Sequence, residues 1–423
     1  MLKLKSQWLA LVSGVALLTG QVFAQDSGPL LDLLVRKGLV SDQEAEELRA
    51  ELAREAHAGV TSSISGGKST TSLAIDGRIQ LQYAGLSSDQ NIADTNQFFL
   101  RRFYLGARAK VGANWLAVLN YDFSGGNFDK GFIEWSGDVG GQPLTLDFGL
   151  RKVNFGFEET TSSGSLKAIE RSAVTRFFTE PNNGRRLGGG AHRIGLFLDG
   201  GSSDARRGRA TGFYYGAAIT NPQRTETFGD GTVVGSKSAG DSIMNTQAFW
   251  GNAGYTLKGS AATVHFGGAI GFLPDQGGPG NLTRGQGYDM VTHSIFADLA
   301  MGKFNLAAEY LWAEVDSGAA IGTDAKPSGF WVQPSFMVNE KFELVARFSS
   351  VAADGRGVKT SDGIRSSPGA TTAQKLEEYY LGFNYYIVAT DVKLQLGYVG
   401  GRTKDAPVEE EISGVRSQLQ IMF

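Results

Sequence analysis

Apolar and polar residues alternate one by one along most of the chain after residue 72. Within residues 98–111, Phe99 and Phe103 are expected on one face and Arg102 and Arg108 on the other. Successive side chains of a β-strand point to opposite faces, so this pattern predicts strands with one apolar and one polar face. Similar segments of about 10 residues recur through the chain, and that length crosses a bilayer when the strand is tilted.

Counting these segments predicts about 16 strands, joined by alternating long and short connections. Long external loops and short periplasmic turns are typical of outer-membrane barrels, and closure satisfies every backbone hydrogen bond within lipid. The predicted fold class is all-β, a 16-stranded antiparallel transmembrane β-barrel with a short N-terminal periplasmic helical segment. The predicted strand starts are Ser72, Phe98, Ala113, Phe128, Gln142, Gly190, Ala210, Met244, Ser260, Gly287, Gly302, Pro327, Lys341, Gln374, Thr390 and Ile412.

Aromatic residues near the predicted strand ends are expected to form the two interfacial girdles of a membrane barrel. Those expected at the outer interface are Phe98, Phe99, Tyr310, Trp312, Tyr379 and Tyr380. Those expected at the inner interface are Trp115, Trp135 and Tyr386.

The composition excludes several classes of protein and site. The chain has no cysteine, which excludes disulfide scaffolds, thiolate metal sites and cysteine nucleophiles. Its formal net charge of −3 provides no overall field for binding nucleic acid. Beyond the first residues there is no uninterrupted apolar run of about 18 residues, so no transmembrane helix is predicted. No cofactor and no metal site are predicted either.

The N-terminal part differs from the rest of the chain. A positively charged start, a short apolar run and a small-residue cleavage site predict a signal peptide at residues 1–24. Residues 25–59 show helical spacing and are expected to form a periplasmic amphipathic helical segment, followed by a Ser/Thr/Gly linker at 60–71. The short helical repeat is compatible with a hairpin packed on the barrel or on itself, with a coiled coil between protomers or with a cell-wall contact. Residues 72–423 are the predicted barrel.

The longest predicted connection, residues 154–189, follows the fifth strand. A loop of roughly 35 residues in a compact fold is usually either functional or disordered. This loop is rich in large apolar side chains, which argues against disorder: Phe155, Phe157, Leu166, Ile169, Val174, Phe177 and Phe178. The segment is therefore expected to fold into the lumen as a constriction loop.

The same loop carries a resemblance to the phosphate-selective porin family, porins O and P. The loop motifs that resemble the family are Phe155-Gly156-Phe157-Glu158-Glu159, Thr161-Ser162-Ser163 and Ile169-Glu170-Arg171-Ser172. Two earlier motifs are also similar to it, Phe99-Leu100-Arg101-Arg102 and Leu119-Asn120-Tyr121-Asp122-Phe123. The resemblance spans residues 72–423 and implies a trimeric pore with a constriction loop and basic residues that contact anions.

Charges near the predicted constriction are in positive excess, with seven cations and four carboxylates between residues 151 and 186. A guanidinium group donates two parallel hydrogen bonds to an oxyanion, and rings of such charges set anion selectivity in pores. The candidate anion-binding residues are Arg151, Lys152, Lys167, Arg171, Arg176, Arg102 and Arg108. A second interpretation remains open, in which lumen cations pair with carboxylates across strands and Arg171, beside Glu170, clamps the loop to the wall.

The sequence predicts a passive outer-membrane porin of a Gram-negative-type bacterium that conducts small hydrophilic solutes and prefers anions, such as phosphate or other oxyanions. The expected partners are small inorganic anions or other small solutes, outer-membrane lipid and further copies of the chain in a homotrimer. A general, weakly selective porin is the nearest alternative, and a plugged structural barrel is another. A barrel hydrolase needs a serine, a histidine and a polar orienting group on adjacent strands. His57 lies outside the predicted barrel, and His192, His265 and His293 have no evident serine partner at a strand end, so no enzyme is predicted.

Overall fold

The computed structural model describes residues 69–90, 92–222, 226–227, 233–234, 246–276 and 288–423. The chain divides into two compact units, residues 1–74 and 75–423, and the second contains nearly all of the described part. The predicted signal peptide, the predicted helical segment and the predicted linker up to residue 68 lie outside the described residues. None of the helices in the described part is long and apolar enough to cross a membrane.

Sixteen strands form a closed antiparallel barrel, which confirms the predicted fold class. The strands are β1 (Thr70–Ser88), β2 (Thr95–Val111), β3 (Trp115–Asp122), β4 (Asn127–Val139), β5 (Gln142–Lys152), β6 (His192–Gly201), β7 (Gly212–Thr220), β8 (Ala248–Lys258), β9 (Thr263–Leu273), β10 (Met290–Met301), β11 (Phe304–Val315), β12 (Ser328–Met337), β13 (Phe342–Ala352), β14 (Lys375–Val388), β15 (Val392–Lys404) and β16 (Glu411–Met422). Each strand pairs with its neighbours in sequence, and β16 pairs with β1 to close the sheet. Closure leaves no unpaired strand edge, which is what a sheet surrounded by lipid requires.

The observed strand starts lie close to the predicted ones. Strand β5 begins at Gln142 as predicted, and the largest difference is at β8, which was expected from Met244 and begins at Ala248. Turn chemistry explains this agreement at the shortest connections. Gly140 and Gly141, between β4 and β5, both have positive φ, as a type I′ hairpin turn requires.

The connections differ strongly between the two ends of the barrel. At the short-turn end they are residues 112–114, 140–141, 202–211, 259–262, 302–303, 338–341 and 389–391. At the long-loop end the longest are residues 153–191, 221–247, 274–289 and 353–374. Among the described residues of the connections there are four short helices, α1 (Phe157–Thr160), α2 (Ala173–Thr179), α3 (Ser203–Arg206) and α4 (Thr360–Gly363). A two-residue ladder between Glu226–Thr227 and Val233–Val234 lies in the β7–β8 connection.

The two faces of the barrel wall have opposite chemistry. Large apolar side chains are exposed on the outer face of strand after strand, for example Leu119, Ile133, Ile295, Leu381 and Leu419. Polar side chains on the inner face are buried, for example Gln80, Gln82, Gln395, Gln418 and Gln420. An extended exposed apolar surface is unfavourable in water, so the outer face fits the hydrocarbon of a membrane.

The alternation in β2 does not run unbroken from residue 98 to residue 111. Phe98 and Leu100 are exposed on the outer face, and so is Leu105 further along, so the outward positions change from even to odd numbers. Arg101 and Arg102 consequently both reach partners inside the barrel. Such a change of phase requires one extra residue in the strand, as in a β-bulge.

Two of the residues predicted for the aromatic girdles face the lumen instead. Tyr380 is 3% exposed and lies near the guanidinium of Arg347, and the hydroxyl of Tyr386 donates to Glu343 at 2.6 Å. Both predictions are therefore wrong in orientation, because they used distance from the strand end and not the phase of the strand. Phe98 is exposed on the outer face, as a girdle residue should be.

A substitution at the closing seam should destabilise the barrel. A Cβ at Gly414 of β16 would collide with the backbone carbonyl oxygen of Gly85 in β1, whereas a Cβ at Gly131 of β4 would meet open space. We expect Gly414→Ala to lower the free energy of unfolding by about 1–3 kcal/mol, because the seam must open to admit the methyl group. Denaturant unfolding in lipid vesicles measures this, with Gly131→Ala as the control. Equal effects of the two substitutions would contradict the expectation.

Candidate constriction site

The segment between β5 and β6, residues 153–191, is named the inward loop. Its large apolar side chains are almost completely buried: Val153, Phe155, Leu166, Ile169, Val174, Phe177 and Phe178. Its polar atoms contact inward-facing side chains of β1, β2 and β11 to β16. The inward loop therefore lies inside the barrel and occupies part of its cross-section.

Helix α1 fixes the first part of the inward loop against the wall. It begins after Gly156, whose φ of 81° lies in the left-handed region that favours glycine. The N–H groups of Phe157 and Glu158 donate to the carboxylate of Glu309 on β11, with distances of 2.6 and 3.2 Å. The ring of Phe157 stacks on Phe296 of β10 with 4.3 Å between the centroids. The free N–H groups at the start of the helix are thus satisfied by the wall.

Helix α2 begins where two carboxylates meet its first N–H groups. The hydroxyl of Ser172 accepts a hydrogen bond from the Thr175 N–H at 3.1 Å, which is a typical N-cap. The Ser172 N–H donates to Glu158 at 2.9 Å, and the Ala173 N–H donates to Glu378 of β14 at 2.8 Å. One of these carboxylates belongs to the loop and the other to the wall, so the helix start joins the two.

Arg347 on β13 lies between these two carboxylates and pairs with both. Its side chain is 1% exposed, with Nη1 at 2.9 Å from Glu158 and Nη2 at 2.8 Å from Glu378. Nη1 also donates to the backbone carbonyl of Glu170 at 2.8 Å. Breaking a buried ion pair by removing one partner costs about 3–5 kcal/mol, because an uncompensated charge remains. Arg347 is therefore the main anchor of α2.

Glu170 connects the inward loop to β2 and to the β13–β14 connection. Its carboxylate accepts hydrogen bonds from Arg101 at 2.5 Å, from Arg365 at 3.1 Å and from Gln82 at 3.0 Å. Burial opposes ionisation of this carboxyl, but the charges of Arg101 and Arg365 prevail and hold its pKa well below its usual value. The carboxylate therefore stays charged at neutral pH.

Glu180 closes the far end of α2. It pairs with Arg176 at 2.9 Å and with Arg186 at 2.7 Å, and it also pairs with Arg365. Burial opposes ionisation, but the charges of Arg176 and Arg365 lower the pKa of Glu180 to about 2. Arg365 therefore bridges Glu170 and Glu180 from a second long-loop connection.

Glu159 holds the base of the inward loop to β5. Its carboxylate lies 2.5 Å from Lys152 Nζ and 3.0 Å from Arg171 Nε. Arg171 also donates to the backbone carbonyls of Glu158, Glu159 and Thr161. Arg171 thus joins parts of the inward loop to one another, whereas the second interpretation of the sequence expected it to clamp the loop to the wall, and its carboxylate partner is Glu159 and not the adjacent Glu170.

The middle of the inward loop is tied to the last strands and to β1. The carbonyl of Ser163 accepts from Gln80 at 3.2 Å, and that of Leu166 accepts from Lys393 at 2.7 Å. Lys167 reaches Glu343 on β13, with 2.9 Å between Nζ and the carboxylate. These contacts leave the loop against one part of the wall.

A cavity of about 550 Å³, named the lumen cavity, lies between the inward loop and strands β7 to β10. The loop contributes Phe157, Thr160 and Ser162 to its lining, and the wall contributes the side chains of Tyr214 and His265, among others. Both surfaces are a mixture of polar and aromatic groups. The lining is therefore compatible with a water-filled passage for polar solutes.

The charges that line the lumen cavity come mainly from the β6–β7 turn. Arg206, Arg207 and Arg209 line it, against a single lining carboxylate, Asp298. Arg206 is held by Asp199 at 3.0 Å and by the ring of Tyr214. Within the described part of the chain, the guanidinium groups of Arg207 and Arg209 have no ion pair or hydrogen-bond partner, and both residues are exposed.

The seven sequence-predicted anion-binding residues are placed differently. Five contact carboxylates in and near the loop: Arg151 with Asp147 and Asp199, Lys152 with Glu159, Lys167 with Glu343, Arg171 with Glu159, and Arg176 with Glu180. On the wall, Arg102 donates to Gln80 at 2.7 Å, and Arg108 pairs with Asp76 at 2.9 Å with 56% of its side chain exposed. None of these seven described residues lines the lumen cavity. That they contact anions stays a prediction.

Sequence reasoning missed Arg101, Arg365 and the arginines of the β6–β7 turn. Arg101 was missed because strict alternation places it on the lipid face, although a charge at a lipid-facing position is itself a signal of a change in phase. The arginines of the β6–β7 turn were missed because they lie in a short connection, outside the long loop that carries the apolar residues and the family motifs. Three arginines among the four residues 206–209 are a visible signal in the sequence.

The histidines that were considered for a hydrolase have other partners. His265 Nε2 lies 2.8 Å from the Tyr214 hydroxyl, and His293 stacks on Trp312 with 4.7 Å between the centroids. His192 lies 3.3 Å from Asp129, and His57 is outside the described residues. Among the residues that the structure describes, no group of three or more His, Asp or Glu side chains could hold a metal ion.

The barrel, its exposed apolar belt and its inward loop define an outer-membrane porin. The chain matches the family of phosphate-selective porin O and P over residues 73–270 and 274–423, and it belongs to that family. It is 23% identical over 410 residues to Porin O of Pseudomonas aeruginosa, a match that covers 83% of this chain and 88% of that protein. The chain is accordingly an outer-membrane protein of a Gram-negative-type bacterium.

Solved structures agree with the fold. A loop L8 deletion mutant of OmpT, an outer membrane protein of Vibrio cholerae, matches with a TM-score of 0.53 and 12% identity, covering 84% of this chain and 100% of that one. The outer membrane channel DcaP of Acinetobacter baumannii matches with a TM-score of 0.52 and 12% identity, covering 85% and 99%. OmpF of Salmonella typhi in complex with daunomycin matches with a TM-score of 0.51 and 12% identity, covering 83% of this chain and 98% of that one. At this identity the likeness shows the fold alone.

Removing the anchor of α2 should open the constriction. In Arg347→Gln the carboxylates of Glu158 and Glu378 lose their shared cation, so we expect the inward loop to detach from β13 and β14. Single-channel recording should then show a higher and fluctuating conductance. Arg402→Gln is the matched control, because Arg402 is a partly exposed arginine of β15 paired with Glu377. An unchanged, quiet conductance in Arg347→Gln would show that other contacts suffice.

Acid should loosen α2 in a defined pH range. The folded-state pKa of Glu180, about 2, lies below the ordinary carboxyl value of 4.5, so its ion pairs stabilise fully above pH 4.5 and weaken as the pH falls towards 2. Hydrogen exchange of the α2 amides, corrected for the intrinsic rate, should show less protection at pH 3 than at pH 7. Glu180→Gln should be less protected at pH 7 and less dependent on pH. Equal protection of the unaltered chain at both pH values would refute this role.

Proposed function

We propose that the chain is a passive channel for small hydrophilic solutes that prefers anions, with phosphate or another oxyanion as the substrate class. The observation that carries the anion preference is the lining of the lumen cavity, where three arginines face one carboxylate. The family description, phosphate-selective porin, supports the same substrate class. Solutes move by electrodiffusion past the inward loop, and no energy source is required.

The chemistry of the turn arginines fits oxyanions. A guanidinium group is always charged and presents paired N–H donors that match two oxygens of a phosphate. Because Arg207 and Arg209 are exposed and free of carboxylates among the described residues, their charge acts on solutes in the lumen cavity. Charged side chains that line a pore set its ion preference.

The seven residues predicted from the sequence receive a more specific role in this proposal. Arg151, Lys152, Lys167, Arg171 and Arg176 hold the inward loop and its surroundings in place through their carboxylate partners, and they influence solutes mainly through the shape of the gap. Arg108, half exposed beside Asp76, is the one of the seven best placed to meet a solute. Arg102 adds positive potential from within the wall.

We also propose that the chain assembles as a homotrimer in outer-membrane lipid and has no catalytic activity. The trimer rests on the resemblance to the family, and the mass of the detergent-solubilised complex tests it. A general, weakly selective porin is the rival function, since paired charges inside the barrel compensate much of the lumen field. Ion selectivity separates the two.

Neutralising the turn arginines should reduce anion preference. Each unit charge at roughly 8 Å in water contributes about 0.5 kcal/mol to an ion, so Arg207→Gln together with Arg209→Gln should lower the anion-to-cation permeability ratio several-fold. Reversal potentials across a planar bilayer in a KCl gradient measure this, and phosphate titration of the conductance follows. Arg402→Gln, on the outer face, is the control for a general loss of charge.

The Arg171→Gln variant distinguishes the role of the loop cations from that of the turn arginines. We expect it to change conductance and stability more than selectivity, because Arg171 is committed to Glu159 and to loop carbonyls. If the turn variants leave the reversal potential unchanged and Arg171→Gln shifts it, the selectivity lies in the loop cations. A reversal potential near zero for the unaltered chain, with no block of the conductance by phosphate, would favour the general, weakly selective porin.

A further inference from the structure

We propose that a small cavity beside the buried Arg416, between the inward loop and the wall, binds one chloride ion as a structural component of the folded barrel. This buried site is separate from the path of permeating solutes. The ion completes a charge network that the protein's own carboxylates leave incomplete. The proposal goes beyond transport, because the bound ion stays in place and stabilises the loop.

Arg416 lies on the inner face of β16, opposite Ala84 of β1 and Gly397 of β15. The residue is 1% exposed, and within the described chain neither of its terminal nitrogens has a hydrogen-bond partner. A buried charged group without partners is costly, because it loses its water shell and gains nothing in return. Such an arginine points to a ligand that accepts hydrogen bonds.

Arg193 shows how the same chain satisfies a buried arginine that has no carboxylate. It is 2% exposed, and its three nitrogens donate to the backbone carbonyls of Pro222, Ala191 and Gly188 at 3.3, 3.1 and 2.7 Å. Its guanidinium group lies over the ring of Trp250. Arg416 has no comparable set of acceptors for its terminal nitrogens in the described residues.

The cavity beside Arg416 is small and rich in donors. It offers about 10 Å³, roughly the room of one water molecule, and four arginines line it: Arg171, Arg347, Arg365 and Arg416. Two further groups of the lining have no acceptor for their hydrogen in the described structure, Nε of Arg347 and the hydroxyl of Tyr380. The room suits a monatomic ion and excludes phosphate or another polyatomic oxyanion.

The surrounding charges do not balance. The ion-paired set has five carboxylates: Glu158, Glu159, Glu170, Glu180 and Glu378. Together with Arg416, it has eight cations: Lys152, Arg101, Arg171, Arg176, Arg186, Arg347, Arg365 and Arg416. These groups together carry excess positive charge, and most of them are largely removed from water. An anion reduces the cost of burying that excess.

A water molecule fits the cavity less well than chloride does. Water must donate as well as accept, and both carboxylates in the lining are already engaged by other donors. The oxygens of Glu378 accept from Arg347, Ala173 and Ser349, and those of Glu170 accept from Arg101, Arg365 and Gln82. A halide only accepts, so it matches a cavity whose free groups are donors.

Crystals of the protein grown in sodium bromide give the direct test, because bromide replaces chloride and scatters anomalously. We expect an anomalous peak within hydrogen-bond reach of the Arg416 guanidinium and the Tyr380 hydroxyl. The peak should be absent in Arg416→Gln and present in the control Arg193→Gln. Density without an anomalous signal would mean that the cavity holds water only, which overturns the proposal.

Thermal unfolding in solution provides a second test that does not depend on crystals. Stability of the unaltered chain should increase with chloride at constant ionic strength, with gluconate as the counter-anion that is too large for the cavity. Tyr380→Phe should raise the chloride concentration for half of the effect about tenfold, since it removes one hydrogen bond to a charged ligand. Arg193→Gln should keep the chloride dependence. Absence of any chloride dependence in the unaltered chain would refute the site, even if Arg416→Gln fails to fold.

Discussion

The position of the inward loop depends on the pairing of charges that have been removed from water. Arg347 is almost fully buried and is shared between Glu158 of the loop and Glu378 of the wall, and the same two carboxylates receive the first N–H groups of α2. None of these groups is stable there without the others, because each would leave an unpaired charge in a medium that screens poorly. The ion pairs determine where the loop lies, and its apolar side chains are buried as a consequence. Glu159, Glu170 and Glu180 extend the same principle to β5, to β2 and to the β13–β14 connection.

In this arrangement, one set of residues determines the shape of the pore and another determines its electrostatic field. Most cations near the loop are engaged with carboxylates, which reduces their field at a distance, and what they mainly determine is how much of the cross-section remains open. The positive field in the lumen cavity comes mainly from the arginines of the β6–β7 turn. This short helical connection is held in place by contacts of Arg206 with Asp199 and Tyr214. The oxyanion preference proposed above therefore does not require the loop cations to touch the solute.

The alternation of residues was sufficient to predict the barrel, because lipid outside and polar groups inside impose a period of two on every strand. It failed where the backbone departs from that period or where the partner is distant in sequence. Arg101 faces inward only because β2 changes phase, and Tyr380 and Tyr386 were assigned by their distance from a strand end. Arg171 was expected to act beside its neighbour Glu170, but the fold brings it to Glu159. Pairings across the barrel interior depend on register and loop path, and no local pattern in the sequence encodes them.

The β6–β7 turn has a consequence for how such a channel changes over evolutionary time. Within the described structure, no hydrogen bond or ion pair joins residues 202–211 to the inward loop; their contacts are with β6, β7 and β8. The sequence of the turn can thus change independently of the inward loop. Substitutions at positions 207 and 209 alter the charge that a solute meets and leave the folding of the loop untouched. A lineage can therefore adapt its nutrient preference at these two exposed positions without first acquiring compensating mutations in the buried network.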